Sequence, residues 1–482
     1  MRRVWASAGH LGEIMRATVV LALLLLLPIT VLAQDGVLTK QYDDGSVYEG
    51  TFLNGLQHGT GTYTLPNGYT YAGEWVAGRI QGQGTARYPD GAVYEGAFLA
   101  GKPEGRGKIT YADGGTYEGD WTAGAMTGAG EAHYANGVVY VGGFLNGVQH
   151  GQGRMQNADG YVYEGGLVDG VKDGEGRITY PDGAVYQGMV KAGERQGVGR
   201  LTLPDGLTYV GDWAAGQMTG KGKLTQPTGD VYEGDMVNGL RQGTGRISYA
   251  NGDDYEGQMQ ADKRHGTGTF RAANGLIYQG QWAMGVAEGQ GRLTYPDGAV
   301  YQGAFKADKP DGAGRITYAD GAGFEGVWVA GIISGKGVAT YADGSRYEGT
   351  FVDGQPQGIG KLTLPDGYVY QGRMQGGKRQ GEGRAVYPDG TVYVGEFADG
   401  LRHGIGQLTQ ADGFRYTGIW AAGEIMGTGT AVYPNGDTYE GGFLRGRRQG
   451  QGKLTYATGQ VVSGEWFQGI LRTPDPAPPA SP

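Results

Sequence analysis

The chain has 482 residues, 100 of them glycine, with 39% apolar residues, no cysteine and a formal charge of −9. The lack of cysteine excludes disulfides, thiolate metal centres and cysteine nucleophiles, and the acidic balance argues against general nucleic-acid binding. Glycine at about three times its usual ~7% share, without a Gly-X-Y triplet, excludes collagen and suits a thin, laterally extended core.

Residues 17–33 read ATVVLALLLLLPITVLA, after Arg2, Arg3 and Arg16 and before the polar run Gln34-Asp35-Gly36. A basic segment, a short apolar core and small residues at the end predict a secretory signal peptide over 1–33, cut after Ala33. The alternative is an uncleaved membrane anchor over 17–33, at the short end of what spans a bilayer. Both readings export the rest, which then carries 37 basic and 48 acidic residues (40 − 3 and 49 − 1). No Asn-x-Ser/Thr sequon occurs, which favours a bacterial periplasm or extracellular space.

Residues 34–47 form half of a repeating unit, with Tyr42, Asp44 and Gly45 in phase. From Tyr48, taken as position 0, a 23-residue pattern runs without insertion through Tyr71, Tyr94, Tyr117 and Tyr140 to Tyr439. Only Phe324 replaces the tyrosine, and Val462 opens a truncated copy, so the array spans 48–470. Positions 2, 11, 13 and 20 are always glycine; position 7 is glycine except at Asp262 and Asp308. A fixed period of this kind marks a stacked repeat architecture.

Within a repeat, positions 0–4 and 13–17 alternate with period two, as half-buried strands do. The spacing predicts two short strands, a loop over 5–12 and a Pro-Asp-Gly-type turn at 18–20. A register in which paired positions sum to 17 sets Tyr48 opposite Leu65, Gly50 opposite Tyr63 and Phe52 opposite Gly61, so that each glycine makes room for a bulky partner. On the other face, columns of Glu and Lys/Arg approach each other. The predicted fold is all-β: an elongated, twisted, single-sheet solenoid of antiparallel hairpins. The tail over 471–482 is rich in proline and alanine and is expected to be disordered.

The pattern Tyr-Glu-Gly-Asp-Trp followed by spaced glycines and a Tyr-x-Asp-Gly turn closely resembles the membrane occupation and recognition nexus (MORN) repeat, over residues 37–470. The resemblance implies stacked hairpins acting as scaffold, dimerisation element or lipid-associated module. In some members the repeats are fused to catalytic domains, whereas here they fill the chain. Leu167, Val190, Met236, Met259 and Met374 depart from the aromatic usual at position 4.

No nucleotide loop of the form GxxxxGK[ST] is present. Histidines at position 10 (His58, His150, His265, His403) lie in separate repeats without metal-ligand spacing. The aspartate column at position 19 reads as turn chemistry before calcium chemistry. No catalytic set stands apart from the repeat, so neither an enzyme nor a cofactor is expected. Two features suggest binding. Trp75, Trp121, Trp213, Trp282, Trp328, Trp420 and Trp466 occupy position 4, where they either fill the sheet's apolar face or line a binding surface, several beside apolar loop residues: Met126, Met218, Ile332, Ile333, Ile425 and Met426. Across the array, loop positions 8 to 10 carry an excess of cations, among them Arg241, Lys263, Arg264, Lys378, Arg379, Arg402, Arg447 and Arg448, read either as a solvated surface or as an edge that meets anions. The leading expectation is an exported scaffold binding protein partners, or itself, along an aromatic-lined ribbon. The alternative is a binder of anionic lipid or envelope polymer using the loop edge.

Overall fold

The computed structural model describes residues 36–472, so the expected leader at 1–33 and the tail beyond Arg472 lie outside the described residues. The described chain contains 39 strands and no helix. It divides into two compact bodies between Arg241 and Gln242.

Within each body successive strands pair antiparallel. A short β1 (Leu38–Gln41) pairs with β2 (Val47–Leu53), which pairs with β3 (Leu56–Thr64), followed by β4 (Thr70–Val76). Every later repeat copies this alternation of a seven-residue and a nine-residue strand. The second body runs the same way, as in Val300–Lys306 against Lys309–Thr317.

The predicted loop over 5–12 is corrected: the turn is only positions 6 and 7, and positions 8–16 are strand. Both turn residues have positive φ, 50° at Asn54 and 75° at Gly55, the backbone of a two-residue type I′ hairpin. Asp262 and Asp308 hold φ 66° at position 7, which aspartate tolerates better than most side chains. The opposite turn agrees with expectation. Gly68 N–H donates to Leu65 O (3.0 Å), and Leu65 N–H donates to Tyr69 O (2.9 Å).

The register also differs from expectation. Tyr48 faces Tyr63 and Gly50 faces Gly61; the ladder then steps, and Phe52 faces Gln57. Paired positions sum to 15 before the step and 13 after it. The cause is position 11: Gly59 and its copies take φ between 59° and 102°, a bulge that only glycine enters readily. Glycine therefore faces glycine, and the ring that fills the space comes from two residues earlier on the same strand. A Cβ built on Gly61 falls 2.4 Å from Tyr48 Cζ, and one on Gly50 falls 2.6 Å from Gly61 Cα. The tyrosine lies flat across the glycine pair and its hydroxyl donates to the position 3 carbonyl, as from Tyr48 to Thr51 O (3.1 Å) and Tyr94 to Ala97 O (3.0 Å).

The core of each body is this aromatic column. Position 4 rings sit edge-on between the tyrosines of their own and the preceding repeat. Tyr71 is 5.6 Å from Trp75 and 5.0 Å from Phe98; Tyr301 is 5.1 Å from Phe305 and 5.2 Å from Trp328. Such pairs contribute roughly 0.5–1.5 kcal/mol each beyond the area they bury. The aliphatic departures Leu167, Val190, Met236, Met259 and Met374 are equally buried.

Candidate interaction surfaces

Of the two readings of the seven tryptophans, the one that has them fill the sheet's apolar face holds, and none lines a binding ribbon. Each is at most 6% exposed. Six donate their indole N–H to the position 13 carbonyl of the preceding repeat: Trp75 to Gly61 (3.3 Å), Trp121 to Gly107 (3.1 Å), Trp213 to Gly199 (3.2 Å), Trp282 to Gly268 (3.2 Å), Trp420 to Gly406 (3.2 Å) and Trp466 to Gly452 (3.1 Å). Trp328 Nε1 is buried without a partner. The indole thus ties one repeat to the next.

The apolar residues next to them are redistributed by the strand that replaces the loop. Position 9 pairs with position 4 and shares its face. Met126 is buried there, and Met218, Ile333 and Ile425 are half-buried; Met426, at position 10, is also half-buried. Only Ile332, at position 8, is largely exposed.

The cations separate in the same way. At position 9, Arg264, Arg402 and Arg448 stack 4.1–4.2 Å over Trp282, Trp420 and Trp466 of the next repeat. Each donates Nη2 to the neighbouring position 7 carbonyl: Gly285 (2.8 Å), Gly423 (2.9 Å) and Gly469 (2.9 Å). Arg195, not singled out from the sequence, does the same with Trp213 and Gly216. Arg241 lies over Tyr232. Lys172 takes the position once, donating to Tyr161 Oη (2.6 Å), and burial pushes its ammonium pKa down. At position 8, Lys263 and Arg447 are exposed and Lys378 pairs with Asp399 (3.2 Å). The basic edge expected to meet anions is therefore in large part a set of clips on the aromatic column.

Two further columns serve the fold. The position 10 side chain accepts from the position 6 N–H of the next repeat, as in Ala123 N–H to Glu104 (2.8 Å), Ala261 N–H to Gln242 (3.1 Å) and Ala77 N–H to His58 Nδ1 (3.4 Å). Sequence reasoning saw only loop polarity here. The signal was that nearly every repeat places an oxygen or nitrogen acceptor at this position. The position 19 aspartates accept from the N–H two residues on, as Asp90 from Ala92 (3.1 Å) and Asp366 from Tyr368 (2.8 Å), so this column is an Asx-turn device. On the opposite face the Glu and Lys/Arg columns do meet: Glu164–Arg154 is 3.4 Å, Glu233–Lys223 2.6 Å and Glu440–Lys453 3.6 Å.

The exposed apolar surface concentrates where the sequence reading had placed a loop. Positions 5 and 8 flank the type I′ turn and pair across it. Leu145 pairs with Val148 and Val168 with Val171 in consecutive repeats, each about two-fifths to half exposed. Leu53–Leu56 and Val329–Ile332 repeat the arrangement. Position alternation alone misses this edge, since it appears only once the turn is known to be two residues long.

The second body also holds an open cleft of ≈ 290 Å³ beside Arg379, Tyr387, Phe397, Gly400, Arg402 and Glu424. Among the described residues no group of three or more His, Asp or Glu side chains could hold a metal. No described helix is long and apolar enough to cross a membrane.

The family model described as the MORN repeat matches eighteen consecutive stretches, from residues 48–68 to 439–461. Among solved structures, the TCP domain of Drosophila melanogaster SAS-4, in complex with a proline-rich motif of Ana2, is 14% identical, covering 44% of this chain and 99% of that one at a TM-score of 0.21. The TCP10 domain of Danio rerio CPAP, in complex with a STIL peptide, is 13% identical, covering 55% and 93% at 0.19. A virginiamycin B lyase from Staphylococcus aureus is 11% identical, covering 56% and 94% at 0.11. Scores this low establish no shared architecture. No curated protein matches the chain.

Proposed function

The chain belongs to the MORN-repeat family, and from that premise we propose that it is an exported, non-enzymatic scaffold that binds protein partners along the type I′ turn edge of its repeats. One observation carries the reading: the repeated side chains are taken up by contacts to their own or the neighbouring repeat, while exposed Leu, Val and Ile gather on that edge. Burial of the tryptophans moves the proposed contact surface from the aromatic face, where the sequence suggested it, to the turns. Exposed apolar patches of this kind suit protein contacts. Export rests on the leader-like segment at 17–33.

The test is crosslinking capture by the chain from residue 34 onward and by a variant with Leu145, Val148, Val168 and Val171 changed to serine. The reading expects specific partners on the first and their loss on the second. Equal capture by both rejects the edge.

A second reading, association with an anionic lipid surface, is favoured by the cations interleaved at position 8 on the same edge, such as Arg79 beside Val76 and Lys102 beside Leu99. Sedimentation with vesicles containing anionic lipid separates the two. Lipid binding requires co-sedimentation that weakens as salt rises, and the protein-scaffold reading expects none.

A further inference from the structure

We propose that the cleft between Arg379 and Arg402 is a binding site for a carboxylate carried on an aromatic or aliphatic group. Four arginines of the column form closed clips. At Arg195, Arg264, Arg402 and Arg448 the guanidinium stacks on the next repeat's tryptophan and Nη2 donates to the position 7 carbonyl. Arg379 faces Phe397 instead, and its guanidinium carbon stands 5.5 Å from that ring. Its Nη1 donates to the Tyr368 hydroxyl, 11 residues earlier in the chain. The four clipped arginines have no phenol at the corresponding place, which is held by Ala184, Asp253, Thr391 and Asp437 respectively.

The clip at this repeat is therefore open, and the opening is the ≈ 290 Å³ cleft. Arg379 and Arg402 both line it, and its apolar lining includes Phe397 and Leu401. Arg402 uses Nη2 on Gly423 O (2.9 Å); a guanidinium has five N–H donors, so others remain for a ligand. Two arginines lining one cleft suit a planar oxyanion, while the ring and Leu401 favour an apolar body attached to it. Glu424 also lines the cleft and lies 3.8 Å from Arg445, which offsets its repulsion of an incoming anion. The cleft opens on the turn edge, at Gly400, Leu401, Ala422, Gly423 and Glu424, but its test uses small carboxylates and does not touch Leu145, Val148, Val168 or Val171, so its failure leaves the scaffold reading standing.

The test uses the full chain with phenylacetate, its neutral isostere phenylacetamide, and a short peptide ending in phenylalanine with a free or amidated C-terminus. Titration by calorimetry or by NMR shift is expected to show saturable phenylacetate binding, weaker at high salt, and at least tenfold weaker binding of phenylacetamide. Comparable or tighter binding of the free-acid peptide, lost on amidation, assigns the carboxylate to a polypeptide; phenylacetate binding alone assigns it to a small molecule. Phe397→Trp restores the stacking surface found at the four clipped repeats, lets Arg379 close on Gly400 O, and is expected to lower affinity at least tenfold with an unchanged or higher melting temperature. Arg379→Met is expected to lower it equally, and Arg264→Met, elsewhere in the same column, to leave it unchanged. No saturable binding by wild type, or equal binding by the Phe397→Trp variant, overturns the proposal.

Discussion

Gly130→Ala puts a methyl group where Tyr117 lies. The added Cβ falls 2.4 Å from Tyr117 Cε2, 2.6 Å from its hydroxyl and 2.7 Å from Cζ, so the ring must move by about 1 Å to reach ordinary contact. Overpacking of this kind costs roughly 1–3 kcal/mol. Displacing the ring also strains the hydrogen bond from Tyr117 Oη to Asp120 O (3.0 Å), worth about 0.5–1.5 kcal/mol. The sum is about 1.5–4.5 kcal/mol, or a fall in melting temperature of ~3–18 °C for a body of this size. Differential scanning calorimetry reads it directly. Tyr117→Leu shortens the ring away, so the double mutant is expected to lose less than the sum of the singles. A Gly130→Ala protein melting within a degree of wild type, or a strictly additive double mutant, refutes the tyrosine-over-glycine arrangement.

Trp121→Phe keeps a ring in the column but loses the bond to Gly107 O (3.1 Å); a loss of about 1 kcal/mol is expected by urea denaturation. Glu104→Ala removes the acceptor for Ala123 N–H (2.8 Å) and is expected to cost about 0.5–1 kcal/mol at this exposed turn. Burial pushes the phenols of Tyr71, Tyr117, Tyr209, Tyr301 and Tyr393 up to about 12. Their folded pKa exceeds the unfolded value of about 10, so the stability linked to them is complete below pH 10 and is lost as pH rises towards 12. Ultraviolet titration is expected to show a late, cooperative group of tyrosines ionising together with loss of the sheet signal in circular dichroism. Ordinary titration of all tyrosines near pH 10 with the fold intact contradicts it.

The hairpin repeat, its period and its two-faced strands were legible because Tyr48, Gly50, Gly61 and their copies recur in phase. The register was not, because the step in the ladder depends on the positive φ of Gly59, and a glycine letter does not say which conformation it takes. Alanine at position 6, as at Ala77, also concealed the type I′ turn that asparagine announces at Asn54. Those two missing facts displaced the predicted sites. With a long loop, Ile333 and Arg264 looked available to ligands; with a nine-residue strand Ile333 pairs with Trp328 and Arg264 stacks on Trp282. The turn roles of Asp90 and Asp366 were readable because an Asx turn is local, whereas the acceptor role of Glu104 links one repeat to the next.

The proposed binding surface rests on the aromatic face being interior, and tryptophan fluorescence tests that burial. From residue 34 onward the chain carries seven tryptophans, all at position 4, so iodide quenching of that chain's fluorescence measures the aromatic face alone. The folded protein is predicted to resist quenching and to become accessible only on denaturation. Quenching of the native chain close to that of the unfolded one contradicts an interior aromatic column.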